Sequence, residues 1–314
     1  MDFKTDVYIL AGFLGSGKTT LLTRLLENEK KEGRKVAVLM NELGEISIDS
    51  SAVNTGTPLK ELLGGCICCT IQDKLEAQLQ SLLIDHSPEA IYIETTGAAH
   101  PVEVLDAVLS PYFADKMEMR GIITTIDATL WQSRHGFNPQ LQQLMLEQVR
   151  HADLLILNKS DLLSETDKAR VTGEIQSINS AAPCLLTTFS KVPLDMIQCL
   201  SFSSNRISGS IPVHAKKNLR LGTMVHRFEK PVKKADFEDF LKNLPEGIYR
   251  IKGYIKFEGS SYPDLFQFSY GMPLFMKEYM NMPLNLVFIG QDIDWDELRA
   301  DLNNLGNETR SDFA

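Results

Sequence analysis

The chain has 314 residues, of which 43% are hydrophobic and 23% are charged, with a formal net charge of −9 and an isoelectric point near 5.3. This length predicts about two domains of about 150 residues each, and the acidic balance argues against nucleic acid as the main partner. No apolar run approaches the roughly 20 residues of a membrane-spanning helix, so no membrane partner is expected. The start "MDFKTDVYIL" does not resemble a signal peptide, and an odd number of cysteines, five, indicates the cytoplasm.

Apolar strand-like runs alternate with helical patterns over the first 200 residues. The predicted strands are 7–10, 36–40, 90–94, 121–127, 153–158 and 184–188, and the predicted helices are 18–30, 73–84, 141–149 and 166–178. Continuous apolar strands between helices are typical of a parallel sheet that is covered on both faces. Residues 1–200 are therefore predicted to form a doubly wound, mostly parallel α/β domain.

A change of composition follows at 201–220, which is rich in serine, glycine and asparagine and is predicted to be a linker. Beyond it, the patterns predict antiparallel strands and two helices. The strands are 221–228, 247–259, 262–271 and 283–290, and the helices are 235–244 and 294–305. Residues 221–314 are thus predicted to form a smaller α+β domain.

The stretch "AGFLGSGKTT" has the full P-loop pattern. It follows a predicted strand and opens a predicted helix, which is the context that the motif requires, so a chance glycine turn fits poorly. The backbone N–H groups would bind phosphates, Lys18 would reach the β- and γ-phosphates, and Thr19 would ligate Mg²⁺. The residues predicted to bind the nucleotide here are Gly12, Gly15, Ser16, Gly17, Lys18, Thr19 and Thr20.

Two further strand ends carry candidate site residues. In "YIETTG", Glu94 is predicted to face Mg²⁺ and the Gly97 N–H to face the γ-phosphate, although a solvated strand-end glutamate is an alternative. Lys18, Glu94 and Gly97 are the predicted catalytic residues.

"LLILNKSD" ends a strand with an N-K-x-D signature formed by Asn158, Lys159 and Asp161. A carboxylate can accept two hydrogen bonds from guanine N1–H and N2–H₂, and adenine has no such donor pair. Asn158 would brace the loop, and the stem of Lys159 would cover the ring. The predicted nucleotide is GTP.

The stretch "LLGGCICCT" places Cys66, Cys68 and Cys69 within four residues. A metal site, a redox pair and a buried apolar plug are the alternatives, and metal binding is favoured. A disulfide between such close cysteines would be strained, whereas side chains two apart in an extended segment converge on one side. Cys184 and Cys199 are isolated, and we expect both to be core residues.

In chain order, "GFLGSGKTT", "NELGEISID" (41–49), "GGCICC" (64–69), "ETTG" and "NKSD" resemble the CobW-type P-loop GTPases, a family related to CobW, HypB and UreG and associated with metal trafficking. The resemblance implies that 41–49 lies in the first switch region and that the thiols bind Zn²⁺ or another transition metal. Glu42, Glu45 and His100 are candidates for the missing ligand, and Glu42 is placed in the predicted metal site.

Together these features predict a GTP-hydrolysing metallochaperone, with GTP, Mg²⁺ and Zn²⁺ bound and a client metalloprotein as partner. The sequence leaves open whether the protein forms a homo-oligomer. Two alternatives remain, a P-loop kinase of a small molecule and a non-catalytic redox or metal sensor that binds nucleotide. The N-K-x-D signature argues against the kinase, because such an enzyme has little need to recognise guanine.

Overall fold

The computed structural model describes residues 4–40, 59–61, 71–99, 101–202, 221–269 and 271–305. The chain divides into two compact units. Of the described residues, those up to Leu109 and those from Asp115 to Phe202 form the first unit, and Ser110–Ala114 joins the residues from Leu221 onward in the second. Among the helices that the structure describes, none is long and apolar enough to cross a bilayer.

The first unit is built on a parallel sheet. Its strands are β1 (Thr5–Ala11), β2 (Val36–Met40), β3 (Leu59–Glu61), β4 (Ala90–Glu94), β5 (Met117–Asp127), β6 (Leu154–Asn158) and β7 (Cys184–Leu186). Their order in the sheet is β3-β2-β4-β1-β5-β6-β7, and every pairing is parallel. The central strands are buried along nearly their whole length, as expected of a sheet covered on both faces. The predicted doubly wound fold is confirmed.

Helices connect these strands. They are α1 (Lys18–Glu32), α2 (Ile71–His86), α3 (Pro101–Val108), α4 (Ala128–Gln132), α5 (Pro139–Arg150), α6 (Glu165–Ile178) and α7 (Leu194–Gln198). The apolar side of α1 packs on the sheet through Leu21, Leu22 and Leu25, which are almost fully buried. The helix ends at Gly33, whose left-handed φ of 72° favours glycine.

The order of the strands places the loops that follow β1, β4, β5 and β6 at one end of the sheet. In a parallel sheet the carboxyl ends of the strands point the same way, and ligands bind outside those ends. β1 lies between β4 and β5, with Leu10 opposite Glu94, and Asp127 at the end of β5 lies opposite Asn158 at the end of β6. The P-loop, the "ETTG" loop and the N-K-x-D loop therefore begin side by side.

The second unit is an antiparallel sheet with two helices. Its elements are β8 (Leu221–Arg227), α8 (Lys234–Lys242), β9 (Ile248–Ile255), β10 (Asp264–Ser269), β11 (Met272–Lys277), β12 (Asn285–Gln291) and α9 (Trp295–Leu305). The strand order is β11-β10-β9-β12-β8. The core is aromatic, because Phe237 of α8 lies against the rings of Phe266, Phe257 and Phe275 at centroid distances between 5.1 and 6.3 Å. The predicted smaller α+β fold is confirmed.

The short segment Ser110–Ala114 completes this second unit from far away in the sequence. It packs against β9 and β12, and Asn285 Nδ2 donates a hydrogen bond to the Pro111 carbonyl at 3.1 Å. The ring of Phe113 is 2% exposed. The second unit therefore contains a piece of chain that precedes β5.

Candidate functional site

The P-loop turns tightly between β1 and α1, and its glycines are required by geometry. Gly12, Gly15 and Gly17 have φ values of 135°, 73° and 108°, which side-chain-bearing residues rarely adopt. A Cβ atom on Gly12 would lie 2.1 Å from the Thr125 carbonyl oxygen, and one on Gly17 would lie 2.3 Å from Asn158 Nδ2. No larger residue fits at these two positions.

Hydrogen bonds hold the loop in a curled form. Lys18 Nζ donates to the carbonyls of Gly12 at 2.9 Å and Phe13 at 3.3 Å, and the Ser16 hydroxyl bonds to the Thr125 hydroxyl at 2.7 Å. Lys18 is 7% exposed, so its ammonium group lies over the loop rather than in solvent. Thr20, one residue beyond Thr19, is exposed in the first turn of α1.

The two predicted magnesium ligands lie in direct contact. The Thr19 hydroxyl, at the start of α1, donates to Glu94 Oε1 at 2.8 Å, and Glu94 ends the neighbouring strand β4. Gly97 follows in the loop, where a Cβ atom would lie 2.5 Å from the Leu14 backbone nitrogen. The "ETTG" loop thus runs against the P-loop, and only a glycine allows this approach.

The N-K-x-D loop is tied to the P-loop by Asn158. Its Nδ2 donates to the Ser16 carbonyl at 2.8 Å, and its Oδ1 accepts hydrogen bonds from the Ser190 N–H at 2.9 Å and the Thr187 hydroxyl at 3.2 Å. Asp161 is exposed, and its Oδ1 accepts from the Thr188 hydroxyl at 2.9 Å. Asn158 is therefore a bracing residue, while Asp161 presents its carboxylate at the surface.

Lys159 is held by a strand-end aspartate. It has a left-handed φ of 57°, and its Nζ donates to Asp127 Oδ2 at 2.6 Å. Asp127 also caps α4 by accepting from the Thr129 and Leu130 N–H groups. Burial disfavours its charge, but the hydrogen bonds from Lys159 and Thr129 outweigh burial and hold the pKa of the Asp127 carboxyl below its ordinary value. The carboxylate is thus charged and fixes the Lys159 ammonium group.

A loop that the sequence pattern did not identify completes this region. Residues 187–190 carry no motif, yet the loop bonds to Asn158 and the Ser190 hydroxyl donates to the Gly17 carbonyl at 3.1 Å. Phe189 and Ser190 have positive φ values of 52° and 49°, and the Phe189 ring is 68% exposed. The apolar run of the preceding strand β7, which ends at Leu186 directly before the loop, was the sole signal in the sequence, so this loop was missed.

The predicted metal ligands Cys66, Cys68, Cys69 and Glu42, together with Glu45 and His100, lie outside the described residues. Within the described residues, no group of three or more histidine, cysteine, aspartate and glutamate side chains could hold a metal ion. Burial raises the pKa of the Cys184 thiol to about 11. Cys199 is exposed, so the expectation that it is a core residue was wrong.

Two protein-family models match the chain. One, described as the CobW/HypB/UreG nucleotide-binding domain, matches residues 6–186, and the other, described as the cobalamin synthesis protein cobW C-terminal domain, matches residues 221–305.

Among curated proteins, the zinc chaperone YjiA of Escherichia coli (strain K12) is 29% identical over 94% of this chain and 96% of its own. The zinc-regulated GTPase metalloprotein activator 1 of Schizosaccharomyces pombe is 35% identical over 59% of this chain and 46% of its own. Among solved structures, the Zn(II)-bound YjiA GTPase from E. coli aligns over 97% of this chain and 99% of its own, with a TM-score of 0.49 and 23% identity.

Proposed function

The chain belongs to the CobW/HypB/UreG family, and from this premise we propose that it is a GTP-binding and GTP-hydrolysing metallochaperone. Its cargo is a transition metal, with zinc as the first candidate. The metal is bound at the C-x-C-C motif and transferred to a client protein. Relatives named as zinc chaperones and as a zinc-regulated GTPase support this proposal.

One observation carries the nucleotide half of the proposal, namely the contact between Asn158 and the Ser16 carbonyl. It joins the phosphate-binding loop to the loop that carries Asp161, about 140 residues away in sequence, so both ends of one nucleotide have a receptor. The exposed Asp161 carboxylate can accept from the two donors on the guanine edge. The Phe189 ring, exposed in the adjoining loop, offers an apolar surface to the base.

The residues at the phosphate end fit Mg²⁺. Thr19 and Glu94 present a hydroxyl and a carboxylate within 2.8 Å of each other, and such oxygen donors are what this hard cation prefers. When bound, the ion neutralises charge on the phosphate oxygens. Thr19 would ligate it, and Glu94 would hold it or its water shell. Lys18 would release its carbonyl partners and bind the β- and γ-phosphates, and the Gly97 N–H would donate to the γ-phosphate.

The cargo half of the proposal rests on donor chemistry. Cys66, Cys68 and Cys69 supply thiolates, which suit zinc and softer ions, and Glu42 supplies an oxygen. The family models match residues 6–186 and 221–305 but name no metal, so the zinc assignment is supported by the names of the relatives.

GTP turnover of the purified protein, measured as phosphate release, tests the enzymatic half. We expect slow hydrolysis of GTP and none of ATP, no turnover in Lys18→Ala, and nearly normal binding with slow turnover in Glu94→Gln. Equal affinity for ATP and GTP would contradict the guanine assignment. Binding of GTP without turnover, in the presence and absence of zinc, would instead favour a nucleotide-binding sensor.

A further inference from the structure

We infer that Gln148 is a positioning residue for the "ETTG" loop, and that its side-chain amide holds this loop where the Gly97 N–H can meet the γ-phosphate. The inference rests on the proposed function. Gln148 lies in α5, outside every sequence motif, and it is 2% exposed. A buried amide at a helix position that faces a catalytic loop has a high cost unless its polar atoms are bonded.

The contacts of this amide explain its burial. Gln148 Nε2 donates to the Gly97 carbonyl at 3.1 Å and approaches the Ala99 carbonyl at 3.4 Å. Carbonyl oxygens only accept hydrogen bonds, so the amide nitrogen, rather than the amide oxygen, must face the loop. The two hydrogens of one amide thus hold two carbonyls that lie two residues apart.

Gln148 is itself held firmly. Its backbone carbonyl accepts a hydrogen bond from the Thr124 hydroxyl at 2.9 Å, and Thr124 is a buried residue of β5, which pairs with β1 beside the P-loop. Its helical neighbours Met145 and Val149 are buried in the core. The amide is therefore a rigid anchor, because neither the backbone nor the rotamer of Gln148 is free to move.

Gly97 is confined from two sides. Leu14 of the P-loop lies so close that a Cβ atom would be 2.5 Å from its nitrogen, and the Gln148 amide holds the carbonyl of the same glycine. Within the loop, the Ala99 N–H donates to the Thr96 carbonyl at 3.1 Å, which forms a tight turn. Fixing the Gly97 carbonyl fixes the plane of the peptide that follows it, so the amide restricts the conformations available to the loop.

Loss of the Gln148 amide should therefore affect the binding of GTP but not that of GDP. GDP has no γ-phosphate, so its binding depends on the P-loop and the N-K-x-D loop, neither of which contacts the Gln148 side chain among the bonds described. A loop that is free to shift would still bind GDP but would place the Gly97 N–H incorrectly for GTP. Small misplacements of a catalytic group reduce rates by up to about 100-fold.

The test compares Gln148→Met with Gln143→Met, a glutamine on the exposed side of the same helix. Methionine keeps the length and volume of the side chain but has no N–H donor. For Gln148→Met we expect GDP affinity within about threefold of wild type, an at least fivefold weaker affinity for a non-hydrolysable GTP analogue, and a roughly tenfold lower kcat. Gln143→Met should match wild type in all three measurements.

Gln148→Glu gives a second readout, because protonation of its carboxyl group restores a donor hydrogen. Its carboxylate has no donor hydrogen, whereas the protonated carboxyl can donate to the Gly97 carbonyl again. The turnover of this variant relative to wild type should therefore rise as the pH is lowered from 8.5 to 6. The same ratio for Gln148→Met should stay constant with pH.

Three outcomes decide the question. If the ratio of analogue affinity to GDP affinity is unchanged in Gln148→Met, even with both affinities reduced, the inference alone is overturned. A wild-type protein that neither binds GTP nor hydrolyses it would overturn the proposed function and this inference with it. If neither variant folds, NMR of the wild-type Gln148 side-chain amide decides, since its hydrogens should exchange more slowly with the analogue bound than with GDP, and equal rates would overturn the inference.

Discussion

In the proposed function, base recognition depends on Asp161. Its carboxylate is exposed, and the Thr188 hydroxyl orients one of its oxygens. Replacing the carboxylate by an amide points an N–H donor at a donor on guanine, which leaves that pair unsatisfied. The proposal thus assigns base specificity to the hydrogen-bond polarity of this one side chain.

We expect Asp161→Asn to weaken GTP binding by about 2–3 kcal/mol, or roughly 30- to 150-fold. Xanthosine triphosphate has a carbonyl where guanine has its amino group, so the same variant should bind it more tightly than wild type does. Calorimetric titration with each nucleotide measures both effects. Asp195→Asn, at an exposed aspartate of α7, is the control, and GTP affinity in Asp161→Asn equal to that of the control would refute the assignment.

We expect His226 to make the stability of the second unit depend on pH. The ring lies in β8, is 8% exposed and packs edge-on against Phe228 at 4.6 Å. Burial, together with the charge of Arg299, lowers the pKa of His226 from its ordinary value of 6.5. At a pH just below 6.5 the unfolded chain binds a proton that the folded chain does not, so the free energy of unfolding falls as the pH decreases through this range.

His226→Phe removes this titration while keeping an aromatic ring. We expect its free energy of unfolding to decrease less between pH 7.5 and 5.5 than that of wild type. The measurement is a urea titration followed by tryptophan fluorescence. A Trp131→Phe background leaves Trp295 of α9 as the one tryptophan, so the signal reports on the second unit. His135→Phe, at an exposed histidine of the first unit, should leave the pH dependence unchanged, and an unchanged dependence in His226→Phe as well would exclude this histidine as the cause.

The site residues that sequence alone could identify are those with short-range motifs. Lys18, Thr19 and Asp161 can be predicted from their spacing after a strand, because each lies in a motif of a few consecutive residues. Ser190 and Gln148 could not be found this way, since the partners of the first lie up to 173 residues away and the second faces a loop 51 residues upstream. Such residues are defined by which strand ends the topology brings together, and no local pattern encodes that.

At the scale of elements, a partly buried ionic network fastens α1 to the sheet. Glu29 is 1% exposed, accepts a hydrogen bond from the Tyr92 hydroxyl of β4 and pairs with Arg34 at 3.1 Å. Arg34 also forms an ion pair with Asp6 of β1, with 2.9 Å between its guanidinium nitrogen and the carboxylate oxygen. Burial, together with Glu29, raises the pKa of the Tyr92 hydroxyl, so the hydroxyl remains a donor. Removing one member leaves the others partly unsatisfied.

Tyr92→Phe should therefore destabilise the first unit by about 1.5–3 kcal/mol, the range for hydrogen bonds to charged groups. Denaturant titration followed through Trp131, in a Trp295→Phe background, measures the change. Tyr262→Phe removes a half-exposed hydroxyl from the second unit and should cost less than about 0.5 kcal/mol. A loss in Tyr92→Phe as small as this would show that the network contributes little to stability.

Most elements of the fold follow from hydrophobic patterns, and the exceptions have a physical reason. The strands β1, β4 and β6 are continuous apolar runs because both of their faces are buried. β11 was not predicted, because Met272, Leu274 and Met276 are exposed at the sheet edge and only Phe275 contributes to the core. An edge strand with one buried ring lacks the alternation that identifies strands.

At the scale of the whole molecule, the proposed function requires that metal and nucleotide influence each other. In the sequence, the thiols lie between residues 41–49, which the family resemblance assigns to the first switch region, and the "ETTG" loop. Any effect of GTP on metal affinity must equal the effect of metal on GTP affinity, because coupling between two sites is reciprocal. A typical coupling of about 1–3 kcal/mol corresponds to a roughly 5- to 150-fold change.

The double variant Cys66→Ser with Cys68→Ser should lose tight zinc binding and keep GTP affinity. Its GTP affinity should no longer respond to zinc, and wild-type zinc affinity should fall at acid pH because thiolate ligation releases protons. Competition with a chelating dye measures zinc affinity. Cys184→Ser with Cys199→Ser removes the other two cysteines and should leave zinc affinity unchanged, whereas wild-type zinc affinity in the first variant would refute the thiol site.

The position of Ser110–Ala114 bears on how such proteins can be inherited and recombined. These five residues are encoded within the first half of the gene, yet Phe113 is buried in the second unit and the Pro111 carbonyl is bonded to Asn285. A single crossover between two family members near residue 200 would join a Ser110–Ala114 segment from one parent to a β9–β12 surface from the other. The two halves of the chain therefore cannot be exchanged independently. A functional hybrid must take Ser110–Ala114 and the C-terminal half from the same parent.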